Sequence, residues 1–386
     1  YRYNFGQAIK DGYLTDYQVV IIGVDKPTIK ASIDQRDLIA INNNKYDDAE
    51  TLASKISVIK ALKDYNLKRI ISFHNRVLEA KNFCDDFLEV HNLINLKNKP
   101  KGRIWYDYVS GKMTTKQRRL KLNYLKELSS HEIGLISNAR CLSEGVDVPS
   151  LDGVAFIEPK GSKIDIVQSV GRALRISKEK TIGTIILPVF IQPEDDNIRA
   201  IEKSNFKPVW EVLKALRSHD ERLDEELEFY KRQLGRRKKR QNRKFPTKII
   251  FDLPITFNST FSDSLETQIV QYTSGSWELW LGLLEYYIDK YGNASPPQDF
   301  VIDDYKLGNW VVNLRQRSYR LSKDQKQYLS NLPGWVWDTK EAAWNDSYNQ
   351  LKQYTEVNGD CLIPKLFKTK NGQSLGAWVG NQRNNR

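Results

Sequence analysis

Cysteine is scarce in this chain of 386 residues: Cys84, Cys141 and Cys361 stand far apart. Three isolated thiols make neither a disulfide framework nor a zinc-ligand spacing, and they fit a reducing, cytoplasmic setting. No run of about 18 or more apolar residues occurs, so no membrane span is expected. Residues 1–10 lack the basic start and apolar stretch of a signal peptide. A phosphate-gripping loop of the form G-x-x-x-x-G-K-[ST] is missing, because Gly111-Lys112 is followed by Met113 and position 106 is tyrosine. Asp220-Glu221-Arg222 does not end an apolar strand, so the acidic box that accompanies such a loop is missing too.

What is present is a basic, globular composition. Hydrophobic residues make up 40%, enough for a sizeable core. The net charge of +12 makes polyanions natural partners through counterion release from phosphates. Up to about residue 190, short apolar runs at 17–24, 69–73, 105–109, 133–137, 154–157 and 182–190 read as strands. Helix patterns at 48–64, 77–91, 115–129 and 163–174 lie between them. Such alternation predicts an α/β domain over 1–195, with a parallel sheet and helices on both faces.

Beyond 196 the pattern becomes helical and charged. Residues 220–228 hold six acids in nine positions, and 231–248 hold ten bases and no acid. One reading is a single helix with acid at its N-terminal end and base at its C-terminal end, as the macrodipole favours. The other is a phosphate-binding tract centred on Arg236, Arg237, Lys238, Lys239 and Arg240. Pro246 and Pro254 then mark a linker, so 196–275 is expected to be a charged helical connector.

The last part repeats itself. Trp277, Leu284, Tyr287 and Gly292 recur as Trp344, Leu351, Tyr354 and Gly359 at an offset of 67 residues. Leu307, Gly308, Trp310, Val311, Asn313 and Arg315 recur 68 residues on, from Leu375 to Arg383. This predicts two small helical repeats, 276–340 and 341–386, the second broken off before a counterpart of 321–338. That break, and a first residue that is not methionine, give the expectation of a piece of a longer protein.

Two segments carry chemistry. In Gln168-Ser-Val-Gly171-Arg172-Ala-Leu-Arg175, a helix would put Gln168, Arg172 and Arg175 on one face, at i, i+4 and i+7. Ile164, Val167, Val170 and Leu174 would then pack on the sheet. Two guanidinium groups and an amide beside a glycine suit a phosphate-rich ligand, and the plain alternative is a helix with ordinary surface arginines. Upstream, Glu144-Gly145-Val-Asp147-Val-Pro149 follows a strand. Gly145 permits close backbone approach, and Asp147 is an acceptor suited to a ribose hydroxyl. The alternative there is a common Gly/Asp/Pro turn.

Together these segments resemble motifs V and VI of superfamily 2 helicases, in the DEAH and type III restriction-like branch. Residues 70–75 resemble motif IV, and 111–118 resemble the segment after the next strand. The resemblance covers roughly residues 1–190 and implies a RecA-like second motor domain. It implies that Arg172 and Arg175 are arginine fingers, with Gln168, Gly171, Gly145 and Asp147 near the nucleotide. Phe73, Arg118, Ser137 and Asn138 would touch the nucleic-acid strand. ATP and Mg2+ would be held mainly by an N-terminal RecA-like domain outside this chain.

The repeats resemble the helicase-associated domain. Trp277, Trp280, Leu281, Leu284, Ile288 and Tyr291 follow core spacing, as do Leu307, Trp310, Val311 and Leu314. Asn309, Asn313, Arg317 and Arg320 fall on the other face, suited to bases or phosphates or, in the plain alternative, to water. The whole reads as part of an ATP-dependent helicase or translocase on DNA, in preference to RNA. The competing reading is a non-catalytic nucleic-acid-binding or regulatory module on a RecA-like scaffold.

Overall fold

A computed structural model describes residues 4–33, 49–139, 151–158, 162–177, 180–273, 275–302 and 304–384. The chain forms two compact units, residues 1–234 with 238–278, and residues 235–237 with 279–386.

The first unit is built on seven parallel strands: β1 (Asp16–Val24), β2 (Arg69–His74), β3 (Arg103–Ser110), β4 (Glu132–Ala139), β5 (Gly153–Phe156), β6 (Ile182–Phe190) and β7 (Ile249–Asp252). Their order is β3-β4-β2-β5-β6-β1-β7. The continuous run Val19-Val20-Ile21-Ile22 is what a strand buried on both faces requires. Val19 and Ile21 enter one core, and Val20 and Ile22 enter the other. Helices α1 (Phe5–Lys10) and α2 (Lys26–Ser32) flank β1, and α3 (Ala49–Asp64) and α4 (Val77–Leu93) cover the second of these cores. Helix α5 (Thr115–Lys126) starts at a capping box in which Thr114 and Gln117 satisfy each other's backbone N–H groups. It packs Leu122 and Leu125 on Ile71 and Ile136. Helix α6 (Lys163–Ala173) starts at Ser162, whose hydroxyl accepts the Asp165 N–H, and lays Ile166 and Val170 on the first core.

The sheet and its helices form the RecA-like fold expected, but the first unit runs well beyond residue 195. Segment 196–275, expected as a connector, carries α7 (Asn197–Lys203), α8 (Lys207–Arg217), α9 (Glu221–Gly235), β7 and α10 (Ser259–Thr273). Val209, Val212, Leu213 and Leu216 recur at helical spacing and are fully buried against the sheet, with Phe261, Leu265 and Ile269 of α10. The charges that suggested a connector close on one another. Arg217 bonds Asp224, Glu228 and the Thr273 carbonyl. Lys248 lies 2.6 Å from Asp16 and 3.5 Å from Asp220, and Tyr17 donates to the same buried Asp220 at 2.7 Å. The single long helix is not formed: α9 ends at Gly235, and the chain turns back to enter the sheet as β7.

The second unit contains the body of α11 (Trp277–Tyr291), α12 (Leu307–Gln316), α13 (Lys323–Ser330), α14 (Thr339–Asn358) and α15 (Leu375–Asn384). In the first repeat Leu281, Leu284, Tyr287, Leu307, Val311 and Leu329 are buried, and Trp280 stacks on Trp310 at 5.5 Å. Trp277 is only half-buried and Tyr291 is exposed, at the ends of the predicted core stripe. In the second repeat Ile363, Leu375 and Val379 form the core with Leu351, Tyr354, Phe367 and Trp378. Gly308 and Gly376 do the same work in the two copies. A Cβ on either would collide with a proline carbonyl, of Pro297 or of Pro364. The repeated glycine is therefore a backbone contact of one helix on the loop before it.

Candidate functional site

Strand register brings Phe73, Ser137 and Asn138 together at the carboxyl ends of β2 and β4. Phe73 is paired with Asn138, and Ser72 with Ser137. Their environment is closed. Ser137 is fully buried and accepts from the Ser72 hydroxyl at 3.1 Å, Asn138 is buried, and Phe73 stacks on Phe156 at 5.4 Å. The Ser72 hydroxyl also lies 3.0 Å from His74 Nε2. Burial pushes the His74 imidazole down to about 3, with the Lys55 ammonium adding to the shift. Beyond these strand ends lies a cavity of about 210 Å³ whose lining includes Glu50, Glu79, Asp86 and Glu158. Lys55, fully buried, pairs with Asp86 at 3.2 Å.

Arg118 is half-buried on α5, with its guanidinium 3.5 Å from the Thr115 hydroxyl. On α6, Gln168 is exposed and Arg172 is buried at 8% exposure, one helical turn apart. A Cβ on Gly171 would meet nothing within 4 Å among the described residues. Arg175 is not on this helix. Helix α6 stops at Ala173, and Arg175 forms a bridge with Leu14. The cause is tertiary. The Leu174 carbonyl accepts the Thr15 N–H at 2.7 Å, and the Lys180 ammonium collects the carbonyls of Leu151 (3.0 Å), Ala173 (2.8 Å) and Arg175. Burial lowers Lys180 to about 8, against the pull of Asp152. Ile164, expected to pack on the sheet, is 65% exposed, and Ile166 takes that place. Lys180 was not foreseen, and nothing in its sequence surroundings distinguishes it from a surface lysine.

Gly145 and Asp147 lie outside the described residues, as does the side chain of Arg240. Among the described residues no group of three or more His, Cys, Asp or Glu could hold a metal ion. No described helix is long and apolar enough to cross a membrane.

The basic tract is largely engaged within the protein. Lys231 is buried, and that burial lowers its pKa. Arg232 pairs with Glu278 at 3.7 Å, and Arg236 pairs with Asp289 at 2.9 Å and Glu285 at 3.7 Å. Arg237 lies over the Tyr286 ring, and Arg243 donates to the Lys238 carbonyl. Lys238 and Lys239 are exposed. In the second unit Asn313 and Arg317 are exposed, Asn313 on α12 and Arg317 at its C-cap. Arg320 lies in the following 3-10 turn, with its guanidinium 5.5 Å from the Tyr319 ring centre.

Comparison with known proteins places these features. The helicase conserved C-terminal domain family matches residues 54–177, and the helicase associated domain family matches 274–338 and 341–386. "Probable helicase A859L" of African swine fever virus (isolate Pig/Kenya/KEN-50/1950) is 24% identical over 229 residues, 59% of this chain and 23% of that protein. The same protein of the Badajoz 1971 Vero-adapted strain is 24% identical over 232 residues, again 59% of this chain and 23% of that protein. The chain thus spans under a quarter of the length of these relatives. Among solved structures, the ATP-dependent Type ISP restriction-modification enzyme LlaBIII bound to DNA is 22% identical with a TM-score of 0.59, over 92% of this chain and 25% of that one. At that identity the likeness concerns the fold. On the RecA-like sheet, residues 54–177 thus match the helicase conserved C-terminal domain family, and 274–338 and 341–386 match the helicase associated domain family.

Proposed function

We propose that this chain is the C-terminal motor half of an ATP-dependent helicase or translocase acting on DNA. The observation that carries the reading is the Gln168–Arg175 segment on its RecA-like sheet. Arg172 is buried, while a Cβ on its neighbour Gly171 would meet no atom of the described residues within 4 Å. A glycine that no atom of the described residues crowds fits close approach by an outside partner, here the N-terminal RecA-like domain with its nucleotide. The donor set suits phosphate: Arg172 and Arg175 offer guanidinium groups and Gln168 an amide. ATP, when bound, supplies the phosphoanhydride whose hydrolysis drives movement, and Mg2+ would be held by the other motor domain. This chain's part is to place positive charge where charge builds up in the transition state. The separation of Arg175 from the helix gives the two arginines separate anchors, α6 for one and the Leu14 bridge for the other.

Phe73, Ser137 and Asn138 lie closed in their strands, so their contact with a nucleic-acid strand would be made at the strand ends, beside Arg118. Lys238, Lys239, Asn313 and Arg317 add exposed polar contacts. The DNA-bound restriction-modification enzyme of like fold supports DNA as the polymer.

The test is made in the intact protein, with Arg172→Ala and Arg175→Ala assayed for ATP turnover and for nucleotide binding. An arginine finger is worth roughly 10³–10⁵ in rate, so turnover should fall by at least about 10³ while nucleotide binding survives. Near-normal turnover in both variants would refute the assignment and favour the non-catalytic scaffold.

A further inference from the structure

The amino-terminal edge of the sheet carries a second charged feature, which the motifs do not account for. The connections entering the adjacent strands β3, β4 and β2 enclose a depression of about 570 Å³. Lys63, Lys68, Lys97, Lys99, Lys101 and His131 line it, and Glu132 is the one carboxylate at its wall besides those behind the backbone. Glu132 is already occupied, accepting the Ser129 N–H at 3.1 Å and lying 3.4 Å from the Tyr124 hydroxyl. Lys63 sits 3.9 Å from its neighbour Asp64. Among the described residues no carboxylate pairs with Lys68, Lys97, Lys99 or Lys101.

The frame holding these lysines is rigid. Gly102 has φ +125°, and a Cβ there would lie 2.7 Å from the His131 carbonyl, so Lys101 is fixed beside His131. The N–H groups of Lys68 and Arg69 both bond the Asp152 carboxylate, at 2.8 and 2.9 Å. Lys99 donates to the Asn92 carbonyl at 2.9 Å. Like charges gathered without carboxylate partners among the described residues repel one another, and an anion in the depression would relieve that repulsion.

We infer that this basin is a binding site for the phosphodiester backbone of DNA, separate from the contacts at the carboxyl strand ends. The inference rests on the proposed motor function and adds a second place where the polymer is held. The chemistry points to backbone phosphates. Lysines are point charges with no preferred plane, and the wall offers no Phe, Tyr or Trp on which a base would stack. Leu62, Leu67, Leu96, Pro100 and Ile133 also line it, and five lysines among fourteen lining residues favour a polyanion over an apolar partner. The basin lies at the other end of β2 and β4 from Phe73, Ser137 and Asn138. Eight residues of β4 separate the two ends by roughly 25 Å.

The experiment uses the whole 386-residue chain and a labelled duplex oligonucleotide, titrated from low to moderate salt. It compares wild type with the combined Lys68→Gln, Lys97→Gln, Lys99→Gln, Lys101→Gln variant. Each phosphate neutralised contributes about 0.9 to the log-log salt slope on duplex DNA, so the four-lysine variant should lose up to about 3.6 in slope and at least tenfold in affinity at low salt. A second readout needs no variant: bound duplex should protect Lys97 and Lys101 of the wild type from an amine-reactive label. Equal slopes and unprotected lysines, with wild type binding well, would overturn the basin and leave the motor reading standing. If wild type binds no duplex even at low salt, the basin and the DNA reading fall together.

Discussion

Lys180 offers the sharpest test of how the arginine segment is held. Its ammonium is bonded to three backbone carbonyls, those of Leu151, Ala173 and Arg175. These join the segment before β5, the last residue of α6 and the arginine beyond it. In Lys180→Met the stem keeps its volume and the three donors are lost. A hydrogen bond to a charged group contributes roughly 1.5–3 kcal/mol, and an orphaned buried acceptor costs a comparable amount. Part of this is offset, because burial already penalises the ammonium and lowers it to about 8. The net expectation is a loss of about 2–3 kcal/mol in the first unit. For a domain of this size that is a fall of about 5–10 °C in melting temperature. Urea denaturation should show a lower midpoint at unchanged slope. In the intact protein the same variant should lower ATP turnover while leaving duplex affinity within about twofold. A change below about 0.5 kcal/mol would mean that the three carbonyls find other partners, and the anchoring argument would be wrong.

Other expectations follow from neighbouring features. His74 is held down to about 3 in the fold against an ordinary value near 6.5. The unfolded chain therefore takes up a proton that the folded chain refuses, and stability is lost as pH falls from about 6.5 towards 3. The loss is up to about 1.4 kcal/mol per pH unit. Denaturation midpoints between pH 7 and 4 should fall more steeply for wild type than for His74→Met; parallel curves would refute the point. Gly308→Ala and Gly376→Ala should each cost more than about 2 kcal/mol, since the added carbon meets backbone that cannot yield. Calorimetry showing a mild effect in either would disprove the shared packing. Lys248→Met should destabilise the first unit by removing the cation beside the buried Asp220, which keeps its Tyr17 and backbone N–H donors. Lys238→Gln with Lys239→Gln should leave stability unchanged and lower DNA affinity; the reverse pattern in denaturation and binding assays would undo that division of the tract.

Much of the fold was legible because its strands are long apolar runs and its first helices start at recognisable caps. The packing of segment 196–275 on the sheet was hard to foresee for a physical reason. Its charges dominate the local composition, yet Arg217 pairs with Asp224 and Glu228, and Lys248 with Asp16 and Asp220. The apolar spacing of Val209, Val212, Leu213 and Leu216 was there to be read. Strand β7 has four residues between two prolines, too short for a period to show. The motif residues were found by pattern, but the placing of Arg175 was beyond it. The Leu174–Thr15 bond and Lys180 decide where α6 ends, and both act across distant parts of the chain. The lysine basin escaped notice because its members come from separate connections and meet only in space.

The position of β1 in the sheet has a consequence for how the protein is made. This strand is synthesised well before its two neighbours, β6 and β7, which end at residues 190 and 252. At roughly 5–20 residues per second, the run Val19-Val20-Ile21-Ile22 waits on the order of 10–50 s for both partners to leave the ribosome. During that wait it is an unpaired, uncharged apolar strand, the kind of segment that associates with others like it. Closing it demands contacts across more than half the chain, which is slow. The nascent first unit should therefore depend on chaperone cover until residue 252 has emerged.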